Sequence, residues 1–81
     1  MAKVEVLLPQ WGMGMSEGTI VTWLKAVGDH VDEDEALAEV ESEKVTETLE
    51  APVAGIVVEL VADEGESIEV RQIVAYIETD D

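Results

Sequence analysis

The chain is 81 residues long and 47% hydrophobic, and its 20 acidic side chains against 4 basic ones give a formal net charge of −16. That length makes one small domain with a modest core, and that charge excludes a non-specific grip on nucleic-acid phosphates or an anionic membrane surface, so partners should be neutral or basic. With no cysteine there is no disulfide, no thiolate metal site and no cysteine nucleophile.

The apolar residues are mostly Val, Ala, Ile and Leu, with no Phe and one Tyr, which argues for a folded β-rich core despite the charge. The carboxylates read first as a strongly solvated exterior, a composition also compatible with a salt-rich cytoplasm. No apolar run reaches membrane-spanning length, and Met1-Ala2-Lys3-Val4 opens neither a signal peptide nor an Arg-rich transit segment. The expectation is an unprocessed intracellular chain, cytoplasmic in a bacterium or archaeon in preference to a mitochondrial matrix.

In chain order, Lys3 to Leu8 alternates in polarity and stops at Pro9, which predicts a first strand. Gln10 to Glu17, QWGMGMSE, has two glycines and no periodicity and reads as a loop. Gly18 to Leu24 is the second strand, closed by Gly28-Asp29; a short segment containing Val31 and an acidic turn over Asp32 to Glu35 follow. Ala36 to Glu41 and Thr46 to Ala51 are the next strands, and the four residues between them, Ser42 to Val45, suit a hairpin built on a type I turn. At its tip sits Lys44, a primary amine on a flexible stem and easy to acylate. Alone it is an ordinary solvated turn lysine.

A repeat changes that reading. Laying Gly55 on Gly18, an offset of 37, matches Val57 to Ile20, Leu60 to Trp23, Gly65 to Gly28, Ile68 to Val31, Val74 to Leu37, Ala75 to Ala38, Ile77 to Val40 and Glu78 to Glu41 without a gap. Two units are too few for a solenoid. They predict an all-β fold, a flattened sandwich or barrel of two short antiparallel sheets related by a pseudo-two-fold axis. The offset maps Lys44 onto Asp81, so the hairpin should occupy one end of the sandwich and the C-terminus the other. The first strands obey a different offset, 43, with Pro9 on Pro52 and Leu8 on Ala51. The six extra residues fall in Gln10, Trp11, Gly12, Met13, Gly14, Met15, Ser16 and Glu17, a connection the second half makes with Val53-Ala54. Surface loops tolerate length cheaply, but beside the hairpin this one would form a partner-reading surface.

Gly28, Glu41 and Glu43 before Lys44, Val45 after it, Ala51-Pro52 and Gly55 together resemble the lipoyl-attachment pattern of lipoyl domains. The opening LPQWGMGMSEGTIVTWLKAVGDHV is similar to the N-terminal half of the lipoyl domain of dihydrolipoyl acyltransferases, the E2 components of 2-oxo acid and acetoin dehydrogenase complexes. The resemblance covers about residues 3 to 78 and implies a single carrier domain over 1–81, the N-terminal part of a longer acyltransferase chain. By it, lipoate is amide-linked to Lys44, while Glu41, Glu43, Val45, Gly28 and Gly55 serve recognition by a lipoate ligase or lipoyl transferase. The 10–17 loop would be read by the E1 decarboxylase, and the other partners implied are the E2 catalytic domain and the E3 dihydrolipoamide dehydrogenase. The dithiolane does the chemistry and the protein supplies position, so the resemblance implies no catalytic residue, and the isolated domain should be a monomer. The chain departs from the commonest pattern in having Glu43 where Asp precedes the lysine and Val45 where Ala follows it. A biotinyl carrier domain of a carboxylase has the same architecture but resembles Met-Lys-Met at the tip, and an acidic interaction module with Lys44 unmodified is the remaining alternative.

Other constellations are weaker. His30 is the only histidine and reads as a turn residue, because a triad with Ser16, Ser42 or Ser67 has no local support. Asp29, Asp32 and Asp34 lack the glycine and closing glutamate of a calcium loop, and no metal site is expected. Gly12-Met13-Gly14 opens no helix and is no phosphate cradle. Met13 and Met15 read as loop packing.

Overall fold

Alternating sequence becomes eight strands: β1 (Lys3–Leu7), β2 (Glu17–Trp23), β3 (His30–Val31), β4 (Ala36–Glu41), β5 (Thr46–Glu50), β6 (Gly55–Leu60), β7 (Ser67–Glu69) and β8 (Ile73–Glu78). A computed structural model describes residues 2–43 and 45–79; Lys44 and its repeat mate Asp81 lie outside the described residues. Every pairing is antiparallel, and the strands form two four-stranded sheets in the orders β1-β8-β6-β3 and β5-β4-β2-β7. The expected all-β architecture of two short sheets is the one observed.

The duplication is literal in the topology. Exchanging β1 with β5, β2 with β6, β3 with β7 and β4 with β8 turns one sheet order into the other. The bulge between Ile20 and Thr22 on β2 recurs between Val57 and Glu59 on β6, each 37 residues on. Hydrogen bonds repeat as well: Gly28 N–H donates to Val57 O and Gly65 N–H to Ile20 O, while Asp34 N–H donates to Ala51 O and Arg71 N–H to Leu8 O. Asp34 and Arg71 share the left-handed conformation, with φ of 69° and 70°. A conformation that strains any non-glycine residue persists at both positions because each closes the same turn onto the opposite half.

Neither half makes its own sheet. Each sheet takes two strands from each half, so the two halves cannot fold apart and the core is shared. Fully buried Ile20, Val31, Leu37, Val40 and Val6 share one cluster with their mates Val57, Ile68, Val74, Ile77 and Leu49. Each such side chain contributes about 1.5–3 kcal/mol on leaving water. Among the described residues no polar side chain is buried.

Several boundaries differ from the sequence reading, among them Leu24, which lies beyond the end of β2. Glu17 belongs to β2, paired with Glu69 on β7, and not to the preceding loop. His30 lies on β3, with Nδ1 4.0 Å from Asp32 Oδ1, and is no turn residue. Leu8 and Ala51 end outside their strands, where their N–H groups donate to Gln72 O and Glu35 O at the shared turns, and both side chains are buried in the core.

Some contacts break the symmetry, and one of them joins Trp23 to Glu64. Glu64 Oε2 accepts from Trp23 N–H at 2.8 Å and from the Thr22 hydroxyl at 3.0 Å, and the Trp23 indole N–H donates to Ala62 O. The Trp23 N–H, and after it the Thr22 hydroxyl, hold the Glu64 carboxyl below the ordinary carboxylate range. A depressed carboxylate pKa stabilises the fold above the unfolded-state value, and that stabilisation fades as pH falls through the lower folded-state value. Glu64→Gln mimics the protonated acid. Thermal melts should therefore show the wild type more stable than Glu64→Gln at pH 7 and the two converging below about pH 4. A difference constant with pH would mean that the Glu64 charge contributes nothing.

Candidate functional site

The β4–β5 hairpin is registered by the pairs Val40–Glu47 and Glu41–Thr46, which leaves residues 42–45 as the connection. Ser42 N–H donates to Val45 O at 2.8 Å, the Ser42 hydroxyl donates to the same oxygen at 3.0 Å, and Val45 N–H donates back to Ser42 Oγ at 3.4 Å. The ends of the connection are thus tied by backbone and side chain together. Glu43 and Val45, the neighbours of Lys44, are exposed.

The connection between β1 and β2 lies against this hairpin. A groove of about 750 Å³ runs between them, lined on one side by Trp11 to Thr19 and on the other by Glu41, Ser42, Glu43, Val45 and Glu47. The loop is tied down along its length. The Gln10 side-chain amide donates to Met15 O, Met15 N–H to Gly12 O and Val70 N–H to Ser16 O, while Trp11 and Met15 pack against the core. Met13 is left fully exposed at its tip. The charged side chains of the groove among the described residues, Glu17, Glu41, Glu43 and Glu47, are all carboxylates.

The expected site residues separate into two groups. Glu41, Glu43 and Val45 meet the loop residues Trp11 to Glu17 at one surface. Gly28 and Gly55 do not line it. Gly28 sits in the β2–β3 turn at φ +97°, and Gly55 is buried on β6, where an added Cβ would collide with the Glu78 carbonyl. Their repeat mates, Gly65 at φ +85° and buried Gly18, take the same positions in the other half, so backbone geometry accounts for both. Among the described residues no three His, Asp or Glu side chains converge as metal ligands.

Residues 4–77 match a family model described as "Biotin-requiring enzyme", that of the biotin/lipoyl domains. The chain belongs to the biotin/lipoyl domain family. Among its relatives, the acetyltransferase component of the pyruvate dehydrogenase complex of Corynebacterium glutamicum is 46% identical over 94% of this chain, which spans 11% of that protein. The succinyltransferase component of the 2-oxoglutarate dehydrogenase complex of Staphylococcus saprophyticus is 44% identical over 90% of this chain and 17% of its own length. Both are dihydrolipoyllysine-residue acyltransferases by name, and this domain is of their lipoyl type. In solved structures, it resembles the lipoyl domain of the Azotobacter vinelandii 2-oxoglutarate dehydrogenase complex, with TM-score 0.74 and 25% identity over 93% of this chain and 95% of that one. It also superposes on part of the Kluyveromyces lactis urea carboxylase, with TM-score 0.81 and 22% identity over 96% of this chain and 6% of that one. That likeness shows the shared fold.

Proposed function

We propose that the domain carries lipoate in amide linkage to Lys44 and works as an acyl-carrying arm of a longer dihydrolipoyl acyltransferase. The observation that carries the reading is the hairpin: a four-residue connection closed at both ends, with exposed residues on either side of one lysine, in a family whose similar members are dihydrolipoyllysine-residue acyltransferases. Its surroundings suit the group, because exposed Met13 and Val45 and half-buried Trp11 offer apolar contact beside the carboxylates. When bound, lipoate supplies a dithiolane that accepts an acyl group and passes it to a thiol. The chain's own residues present the attachment point, and the loop beside it gives partners a surface to read.

The partners on this reading are a lipoate ligase or lipoyl transferase, a decarboxylase that loads the arm, the acyltransferase catalytic domain, and a dihydrolipoamide dehydrogenase that reoxidises it. Contacts with each must be brief, so a small groove suffices. Carboxylates around it steer encounters with basic surfaces more than they add affinity. Intact mass is the test: co-expression with a lipoate ligase and lipoate should add one lipoyl group. A biotin-sized increment with a biotin ligase instead would assign the domain to the biotinyl side of the family.

The loop carries a separate prediction. Replacing Gln10 to Glu17 by Val53-Ala54, the connection that serves the other half, should leave a cooperative melt, because two-fold symmetry supplies a working template. Reductive acylation of the lipoylated variant by the cognate decarboxylase should fall about tenfold or more, by loss of an oriented contact surface. Unchanged acylation would remove the loop from recognition.

A further inference from the structure

We infer that Ser42 is a positioning residue for the modification of Lys44: its hydroxyl latches Ser42 to Val45 and so fixes both ends of the connection that carries the lysine. This inference rests on the lipoyl reading of Lys44.

The repeat supplies the reason. Ser42 maps onto Thr79 by the offset of 37, and Val45 maps onto Ala2 by the offset of 43. At that second place the same three bonds are found. Thr79 N–H donates to Ala2 O at 2.8 Å, the Thr79 hydroxyl donates to Ala2 O at 3.3 Å, and Ala2 N–H donates to Thr79 Oγ1 at 3.3 Å. Residues 2 and 79 are 77 positions apart and no turn joins them. The latch is therefore a property of the hydroxyl residue and the paired strand ends, and not a by-product of a tight connection. Placed at residues 42 and 45, it fixes the span that Glu43 and Lys44 must bridge.

Fixed ends matter because a modifying enzyme binds only the fraction of molecules that present the lysine correctly, and the apparent affinity falls with that fraction. Removing one net hydrogen bond changes the ratio of correctly to wrongly presented molecules about fivefold, which is the most that the apparent affinity can change. Ser42→Ala should therefore raise KM for the apo-domain, by up to about fivefold, in lipoylation by a purified lipoate ligase with ATP and lipoate, and leave kcat unchanged. Hydrogen exchange at the Val45 amide should quicken by a similar factor. Ser42→Thr should restore both, because threonine makes the latch at the mate position. Thr79→Ala removes the same bonds away from Lys44, so it should lower Tm comparably while KM stays at the wild-type value.

A wild-type protein that takes up no lipoyl group refutes the lipoyl reading and this inference with it. A wild type that is modified, with Ser42→Ala at the same KM, refutes the latch alone. The latch is refuted equally if Thr79→Ala raises KM as much as Ser42→Ala, or if a folded Ser42→Thr is modified as slowly as Ser42→Ala.

Discussion

Gly55→Ala is expected to destabilise the domain by about 3 kcal/mol, at the upper end of ordinary overpacking, and to lower Tm by about 12–24 °C for a domain of this size. A Cβ built on Gly55 falls within contact of the Glu78 carbonyl oxygen, 2.9 Å from the Glu78 carbonyl carbon and 2.9 Å from Ile77 Cγ2. The obstacle is backbone. It belongs to β8, held between β1 and β6 in the middle of a sheet, so neither strand can move aside without breaking ladder bonds. The repeat mate gives the control. A Cβ on Gly18 meets Val40 Cγ1 at 2.7 Å and Met15 Cε at 3.4 Å, both side-chain atoms, while the nearest backbone atom, Glu41 O, is 3.6 Å away. The nearest obstacle there is a side chain and not backbone, so Gly18→Ala should cost less, about 1–2 kcal/mol in the same range. Urea melts of the pair give both numbers. Equal losses would mean that the sheet yields as easily as a side chain.

Mates that differ in this way also mark how much of the molecule is legible in its sequence. The offsets of 37 and 43 pick out strands with the same bounds, as in Ala36–Glu41 with Ile73–Glu78 and Lys3–Leu7 with Thr46–Glu50. Strong alternation with two independent copies leaves little freedom in register. A repeat says which strands are alike, however, and not which strands pair. That each sheet draws two strands from one half and two from the other, β1 and β3 with β6 and β8 in the first of them, is a long-range fact with no local signal. Glu17 reads as loop in the sequence because it pairs with another glutamate, Glu69, and adds no apolar beat to the pattern. Trp23 and Glu64 meet across the symmetry without having counterparts that meet, so no repeat could reveal them.

The candidate site is legible in part for the same reasons. Lys44 stands out by its hairpin, and the extra loop residues stand out as a break in symmetry, whose placement beside the hairpin the structure shows. By sequence Ser42 is no more than a weak triad partner. Its signal is present, since Thr79 is another hydroxyl residue one offset away, but Val45 reaches Ala2 by the other offset. The two halves of the latch are therefore recorded in different registers of the repeat.

Lys44→Arg is expected to abolish lipoylation and leave the fold as it is. Arginine keeps the charge and the long stem, and the neighbours Glu43 and Val45 are exposed, so stability should change by no more than about 0.5 kcal/mol. Its guanidinium stays protonated at any working pH and has no free lone pair with which to form an amide. Intact mass after incubation with ligase, lipoate and ATP reads the result, and a native gel reads it again, because each amide formed makes the chain one unit more negative. The substitution also decides among the three lysines. Lys25 Nζ is bound to Glu35 at 2.6 Å, a contact that raises its pKa and keeps the amine protonated, and Lys3 Nζ lies over the Tyr76 ring at 5.1 Å from its centre. Lys3 is on β1 and Lys25 is in the connection between β2 and β3, so both are engaged and neither lies in the β4–β5 hairpin. If Lys44→Arg still gained a lipoyl group, the modified amine would be one of these two or the α-amine, and the hairpin, its latch and the neighbouring loop would lose their common purpose.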